Sequence, residues 1–158
     1  MDVILGPMAA ESSNYGSGTG PNSIKKLMKP LKDRDQGKWI AGHLLNDNLG
    51  GSGSDPKNLT PLTATANKQH SGFELKVKNA CIKARQFHEA NKNSDVWKCI
   101  HYRVNVSGTF ENYAPYSGAP RYLVATFEEI EVDKKTGTIR RGTGQKKTKR
   151  VENKREHL

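Results

Sequence analysis

A chain of 158 residues has room for one domain with a modest core, and 34% hydrophobic content with a mean hydropathy of −0.80 makes it a polar one. Its apolar runs are too short to span a membrane, its start lacks a secretory signal pattern, and Cys81 and Cys99 belong to no metal or disulfide framework. The net charge of +10 argues for a polyanionic partner, nucleic acid being the commonest, against the plainer reading of a generally basic surface.

Residues 1 to 23 are rich in Gly, Ser, Asn and Pro, through Asn14-Tyr15-Gly16-Ser17-Gly18-Thr19-Gly20-Pro21, which predicts a loop or linker with little regular structure. Ser23 is placed to cap a short helix from Ile24 to Met28 that Pro30 limits. Trp39 to Leu45 reads as a strand, an irregular loop with Gly50, Gly51, Gly53 and Pro56 follows, and Asn58 to Thr63 is extended again.

From Ala64 the pattern becomes helical. Phe73, Val77, Cys81 and Ala84 recur at spacings of four and three, while Lys76, Lys78, Lys83 and Arg85 mostly take other faces; Asn-Lys-Asn-Ser after Ala90 ends the run. Two strands, Val96 to Val106 and Arg121 to Val132, flank a turn-rich segment. The order is strand, loop, strand, helix, then a strand pair: an α+β fold. Cys81 and Cys99 fall at apolar positions and are expected as buried free thiols.

Residues 134 to 158 hold ten Lys or Arg and two Glu, so they carry +8 of the +10. The excess is a tail, read either as a phosphate-binding arm or as a solvated end. Three segments follow: a linker-like residues 1–30, a domain over 31–133, and the basic tail 134–158. Removing the tail is expected to weaken nucleic-acid binding and flatten its salt dependence without abolishing metal binding.

The stretch from Gly42 to Glu74 carries candidate chemistry. Hydrolysing a phosphodiester needs a base to activate water and a cation to neutralise charge on the phosphate. His43 is the candidate base, because an imidazole titrating near ~6.5 is available in its neutral form at physiological pH. Asn67, in the first turn of the helix, offers an amide oxygen to a hard cation, Mg²⁺ or Mn²⁺, that keeps several waters. The helix N-terminus favours a phosphate nearby. His70 and Glu74 share a face with Asn67. Glu74 either touches a metal-bound water or pairs with Lys78 at the surface, and His70 either contacts phosphate or is only structural.

Gly42-His43-Leu44, Asn58-Leu59-Thr60-Pro61 and Asn67, in that order, resemble the DNA/RNA non-specific endonucleases of the ββα-metal (His-Me finger) superfamily, in the versions used as bacterial toxin domains. The resemblance covers about residues 38–132 and implies a ββα-metal core packed with an additional antiparallel strand pair. It further implies His43 as general base, Asn67 as metal ligand, Asn58 and Glu74 as supporting catalytic residues, and DNA, RNA or both as substrate, with 5′-phosphate products. A toxin-type domain would have an immunity protein as partner, no membrane contact, and delivery from the producing cytoplasm into a target cell by a secretion or contractile injection system.

The family places Asp-Arg before Gly-His where this chain has Ile40-Ala41, so another cation must contact phosphate. Lys38, Lys57, Lys68 and Arg85 are the candidates, with His70 as a further substrate-contacting residue. Against this nuclease stand a non-catalytic nucleic-acid-binding module, a structure-specific RNase, and a domain whose basic tail docks an acidic protein.

Overall fold

The computed structural model of the protein describes residues 1–9, 16–20, 22–140, 142 and 144–158; Asn14, Tyr15 and Pro21 of the expected N-terminal loop lie outside these. In chain order the elements are β1 (Asp2–Leu5), α1 (Lys25–Arg34), β2 (Trp39–His43), β3 (Leu59–Thr63), α2 (Ala64–Ala90), β4 (Val96–Ser107), β5 (Tyr122–Asp133), β6 (Ile139–Arg140) and β7 (Lys147–Glu152). The architecture is α+β. Strands β2 and β3 form an antiparallel pair, and a five-stranded antiparallel sheet runs β1-β4-β5, with β6 and β7 both on the far edge of β5.

Alternation along β4 and β5 turns Ile100, Tyr102, Val104, Leu123, Ala125 and Phe127 to one face, where they are buried. The stripe predicted on α2 meets that face: Phe73, Val77, Cys81 and Ala84 are all buried, and Phe73 packs edge-on against Phe127 at 5.4 Å. Each fully buried large apolar side chain contributes about 1.5–3 kcal/mol, so the stripe outweighs the ~1 kcal/mol that exposed Gly72 costs the helix. Thr63 caps α2 by accepting from the Ala66 amide at 3.3 Å. Both cysteines are buried free thiols.

A smaller cluster joins α1 to β2. Met28 and Leu31 pack with Trp39, Tyr116 and Ala119, and the Trp39 and Phe110 rings meet edge-on at 4.9 Å.

Four expectations are corrected. Helix α1 continues through Pro30 to Arg34, because the missing Pro30 amide frees only a carbonyl on an exposed turn while Leu31 is buried one residue on. Ser23 does not cap it; its hydroxyl donates to the Gly53 carbonyl at 2.6 Å and accepts from the Gly20 amide at 3.0 Å.

The N-terminal residues are not all irregular, since β1 pairs with β4 from Asp2↔Arg103 to Leu5↔Ile100. The long β4 presents an edge of unpaired amides and carbonyls that a short extended segment can satisfy whatever its side chains.

The same reason corrects the view of the basic segment as a detached tail. Strand β7 pairs with β5 over six residues, Tyr122↔Glu152 to Phe127↔Lys147. Its backbone makes the ladder, while most of its side chains remain exposed; only Val151 enters the core. Removing residues 134–158 would therefore unmake part of the sheet.

Candidate active site

Fifteen residues, 44–58, separate β2 from β3. That is a long connection for a hairpin, and Asn58 holds it closed. Its side-chain oxygen accepts from the Leu45 amide at 2.8 Å, and its amide group donates to the Leu45 and Ser52 carbonyls at 2.9 and 3.0 Å. The Asn58 backbone carbonyl also accepts from the Leu44 amide at 2.8 Å. With a relative exposure of 2%, Asn58 is a brace inside the loop with no open side to substrate.

Helix α2 leaves β3 and runs beside the outgoing chain of β2, so that successive turns meet successive residues. Asn67 lies against Gly42, where a Cβ would come within 2.9 Å of its Oδ1 and 2.6 Å of Leu62 Cδ1. Only glycine leaves that space open. One turn on, His70 Nε2 donates to the Leu44 carbonyl at 3.3 Å, and after another turn Glu74 Oε1 accepts from the Asn46 amide at 2.8 Å. The helix thus reads out the strand exit on both sides of His43.

His43 is half-buried at the end of β2, and its Nε2 lies 2.9 Å from the Ser17 carbonyl. A carbonyl only accepts, so Nε2 carries the proton and Nδ1 keeps the lone pair. Ser17 is in turn tied to the loop: its amide donates to the Gly51 carbonyl at 3.1 Å, and its hydroxyl accepts from the Gly53 amide at 2.8 Å. The Asn67 carboxamide is half-buried and, among the described residues, has no hydrogen-bond partner. Its oxygen is a neutral, hard donor of the kind Mg²⁺ or Mn²⁺ accepts. Among the described residues no three His, Cys, Asp or Glu side chains converge, so a cation at Asn67 would draw most of its ligands from water and phosphate.

His70 and Glu74 lie deeper, at 1% and 3% exposure. Burial pulls the His70 imidazole down to about 4 and pushes the Glu74 carboxyl up to about 8, the Asn46 amide resisting the second shift. Near pH 7 both are predominantly uncharged, so their 3.7 Å approach is not an ion pair. Tyr102 is buried beside Glu74, and burial, then the Glu74 charge, drives its phenol well above the ordinary range. Glu74 is therefore no surface partner of Lys78. It secures the loop from below, about 10 Å along α2 from Asn67.

The four expected cations divide by position. Exposed Lys57 stands two residues before Leu59, the partner of His43 in the register, and exposed Lys68 follows Asn67. Lys38 precedes β2 at its other end, about 16 Å from His43 along the strand. Arg85 lies about 27 Å along α2 from Asn67, and its guanidinium bonds Glu89 at 2.8 Å. Helical rise alone removes Arg85 from the His43 region.

Two further residues matter that no local pattern reveals. Ser17 acts through its carbonyl, from a segment whose composition predicts only a loop. Asn153 lies just past β7 with 2% exposure; its side chain accepts from the Thr63 amide at 2.8 Å and donates to the Pro61 and Pro120 carbonyls at 3.2 and 2.9 Å. It ties β3, and so the start of α2, to the large sheet.

No family model and no curated protein matches the chain. Among solved structures it is similar to one described as the Sda1 nuclease with bound zinc ion, at 18% identity and a TM-score of 0.42. The match covers 73% of this chain and 38% of that one, so the chain spans well under half of the neighbour's length. Among the described residues no helix is long and apolar enough to cross a membrane.

Proposed function

We propose that the chain is a metal-dependent endonuclease of the ββα-metal type that hydrolyses phosphodiester bonds of DNA, RNA or both. The observation that carries this reading is the meeting of α2 with β2 at Gly42, where an unpartnered carboxamide oxygen of Asn67 reaches the strand one residue from His43. The order of parts, two antiparallel strands and then a helix whose first turn holds the asparagine, supports it further.

In the reaction His43 Nδ1 takes a proton from the attacking water, while the bond from Nε2 to the Ser17 carbonyl keeps the ring in the required tautomer and steadies the imidazolium that results. Asn67 would hold Mg²⁺ or Mn²⁺, which supplies stabilisation of the charge developing on the phosphate and the leaving 3′ oxygen. Asn58, His70 and Glu74 keep the loop after His43 in one conformation, so the base is aimed before substrate arrives. Lys57 and Lys68 are the expected cations at the His43 end.

The likeness to nuclease domains of injected bacterial toxins supports a role as a delivered effector, neutralised in the producing cell by an immunity protein.

Plasmid degradation tests the central claim. The native chain should cut with Mg²⁺ or Mn²⁺ and stop in EDTA, and His43→Ala should be inactive while still binding DNA or RNA. A native chain that binds nucleic acid but cuts it under no divalent cation would overturn the reading in favour of a binding module.

A further inference from the structure

A cavity of about 440 Å³ lies between α1 and β2. Its floor includes Ala41, and its wall carries Lys25, Lys29 and Lys32, with Ser23 and Asp33 also lining it. The three lysines follow the i, i+4, i+7 spacing of one helical face, and all are exposed. Like charges at this spacing repel one another, so the stripe costs α1 stability unless something negative occupies its front.

Little in the protein does so. Asp33 is engaged by Lys29 at 2.5 Å, and among the described residues no carboxylate pairs with Lys25 or Lys32.

The position of the cavity gives the charge a use. Residues 41 and 43 of a strand point to the same side, about 7 Å apart, so the cavity opens on the side of β2 that carries His43. The segment that forms the other rim leads there too: Thr19 and Gly20 line the cavity, and Ser17, two residues before Thr19, gives its carbonyl to His43.

We propose that Lys25, Lys29 and Lys32 form a phosphate subsite that seats the nucleic-acid backbone next to His43. The inference rests on the nuclease reading for its purpose, but the subsite itself is a binding claim. Its ligand is the backbone phosphate of DNA or RNA, held by charge and without regard to base sequence. The neighbouring phosphates of a strand rise about 3.4 Å per nucleotide along a duplex, so one or two nucleotides span the step from the cavity floor to the imidazole.

The test compares the full native chain with Lys25→Gln/Lys29→Gln/Lys32→Gln and with a control that removes equal charge elsewhere, Lys76→Gln/Lys83→Gln/Lys92→Gln. All six side chains are exposed. Binding of a short fluorescent DNA duplex, and in parallel an RNA hairpin, is measured in EDTA over a salt series. Abolishing one lysine–phosphate pairing flattens the slope of log K against log salt by about 0.7–0.9, so the α1 variant should flatten it by about 2. The control should change it by much less.

With a divalent cation present, the α1 variant should raise KM about tenfold while kcat changes little, as expected when backbone binding is weakened. An unchanged slope, or an equal change in the control, would overturn the subsite. Should the native chain cut nothing while the α1 variant still flattens the slope, the nuclease reading fails and the subsite stands as a nucleic-acid binding site.

Discussion

His43 and His70 each approach a backbone carbonyl, that of Ser17 in one case and Leu44 in the other, yet only His43 is open to solvent. The Asn67 carboxamide reaches Gly42, one residue before His43, and a lysine-lined cavity has Ala41, two residues before it, in its lining. His70 meets the Glu74 carboxyl and the Leu44 carbonyl, and the ring itself is sealed from water. The comparison teaches that the residue types associated with hydrolysis divide by depth. Groups near water can exchange protons and meet phosphate, whereas the same groups beneath them are held neutral by burial and serve to position the loop.

The largest expected effect that would test this division is on His43. Replacing it with alanine should lower kcat by about 10²–10⁴-fold, with a thermal midpoint close to that of the native chain, because the ring is only half-buried. A large loss of stability would show instead that His43 belongs with the structural layer.

Asn153→Ala should act in the opposite sense. It leaves the Thr63 amide and two carbonyls without their partner in a buried setting, at a cost of about 3 kcal/mol in denaturant unfolding. Metal dependence of any remaining activity should be unchanged at temperatures where the variant is folded. Asn67→Ala should weaken the apparent affinity for Mg²⁺ in an activity titration by at least the ~10–100-fold that loss of an outer-shell partner costs. Unfolding should be little affected, as the carboxamide supports no hydrogen bond among the described residues.

The smallest effect concerns Glu74 and depends on pH. Its carboxyl titrates near 8 in the folded chain and near its ordinary 4.5 when unfolded, so the unfolded state gives up the proton first and stability falls as pH rises between these values. His70, lowered from 6.5 to about 4, opposes this only below its unfolded value, where rising pH restores stability. Between about pH 6.5 and 8 Glu74 acts alone. Glu74→Gln, which keeps an acceptor for the Asn46 amide, should remove a decline of up to about 2 kcal/mol over that interval, measured by unfolding at several pH values. A native chain equally stable at both ends would mean that the carboxylate is already ionised in place.

Much of the core was legible in the chain because its signals are local. The apolar stripe of α2 repeats at helical spacing, and β4 and β5 announce themselves by length and alternation. Strands β1 and β7 were not legible. Each adds to an edge through its backbone, and Asp2 to Leu5 lies in a loop-like composition while Lys147 to Glu152 reads as a charge run. Pro30 misled in the other direction, because the packing of Leu31 outweighs a missing bond on an exposed turn.

At the site, the residues themselves singled out Gly42, His43 and Asn67, since the chemistry demands a base and an oxygen donor in a short stretch, and the resemblance to ββα-metal nucleases added Asn58. The sequence also named Glu74 and His70 without telling whether they meet solvent or lie buried. That distinction is one of depth, and depth depends on what α2 is pressed against. The carbonyl that meets His43 comes from a segment 26 residues away, held by the closure of the Gly51–Gly53 loop on Ser17 and Ser23, and the lysines that line the cavity with Ala41 come from a separate helix. Spacing along the chain determined which chemical groups are present; only the tertiary structure decided which of them water and phosphate can reach, because burial and contact between distant segments leave no periodic trace in the sequence.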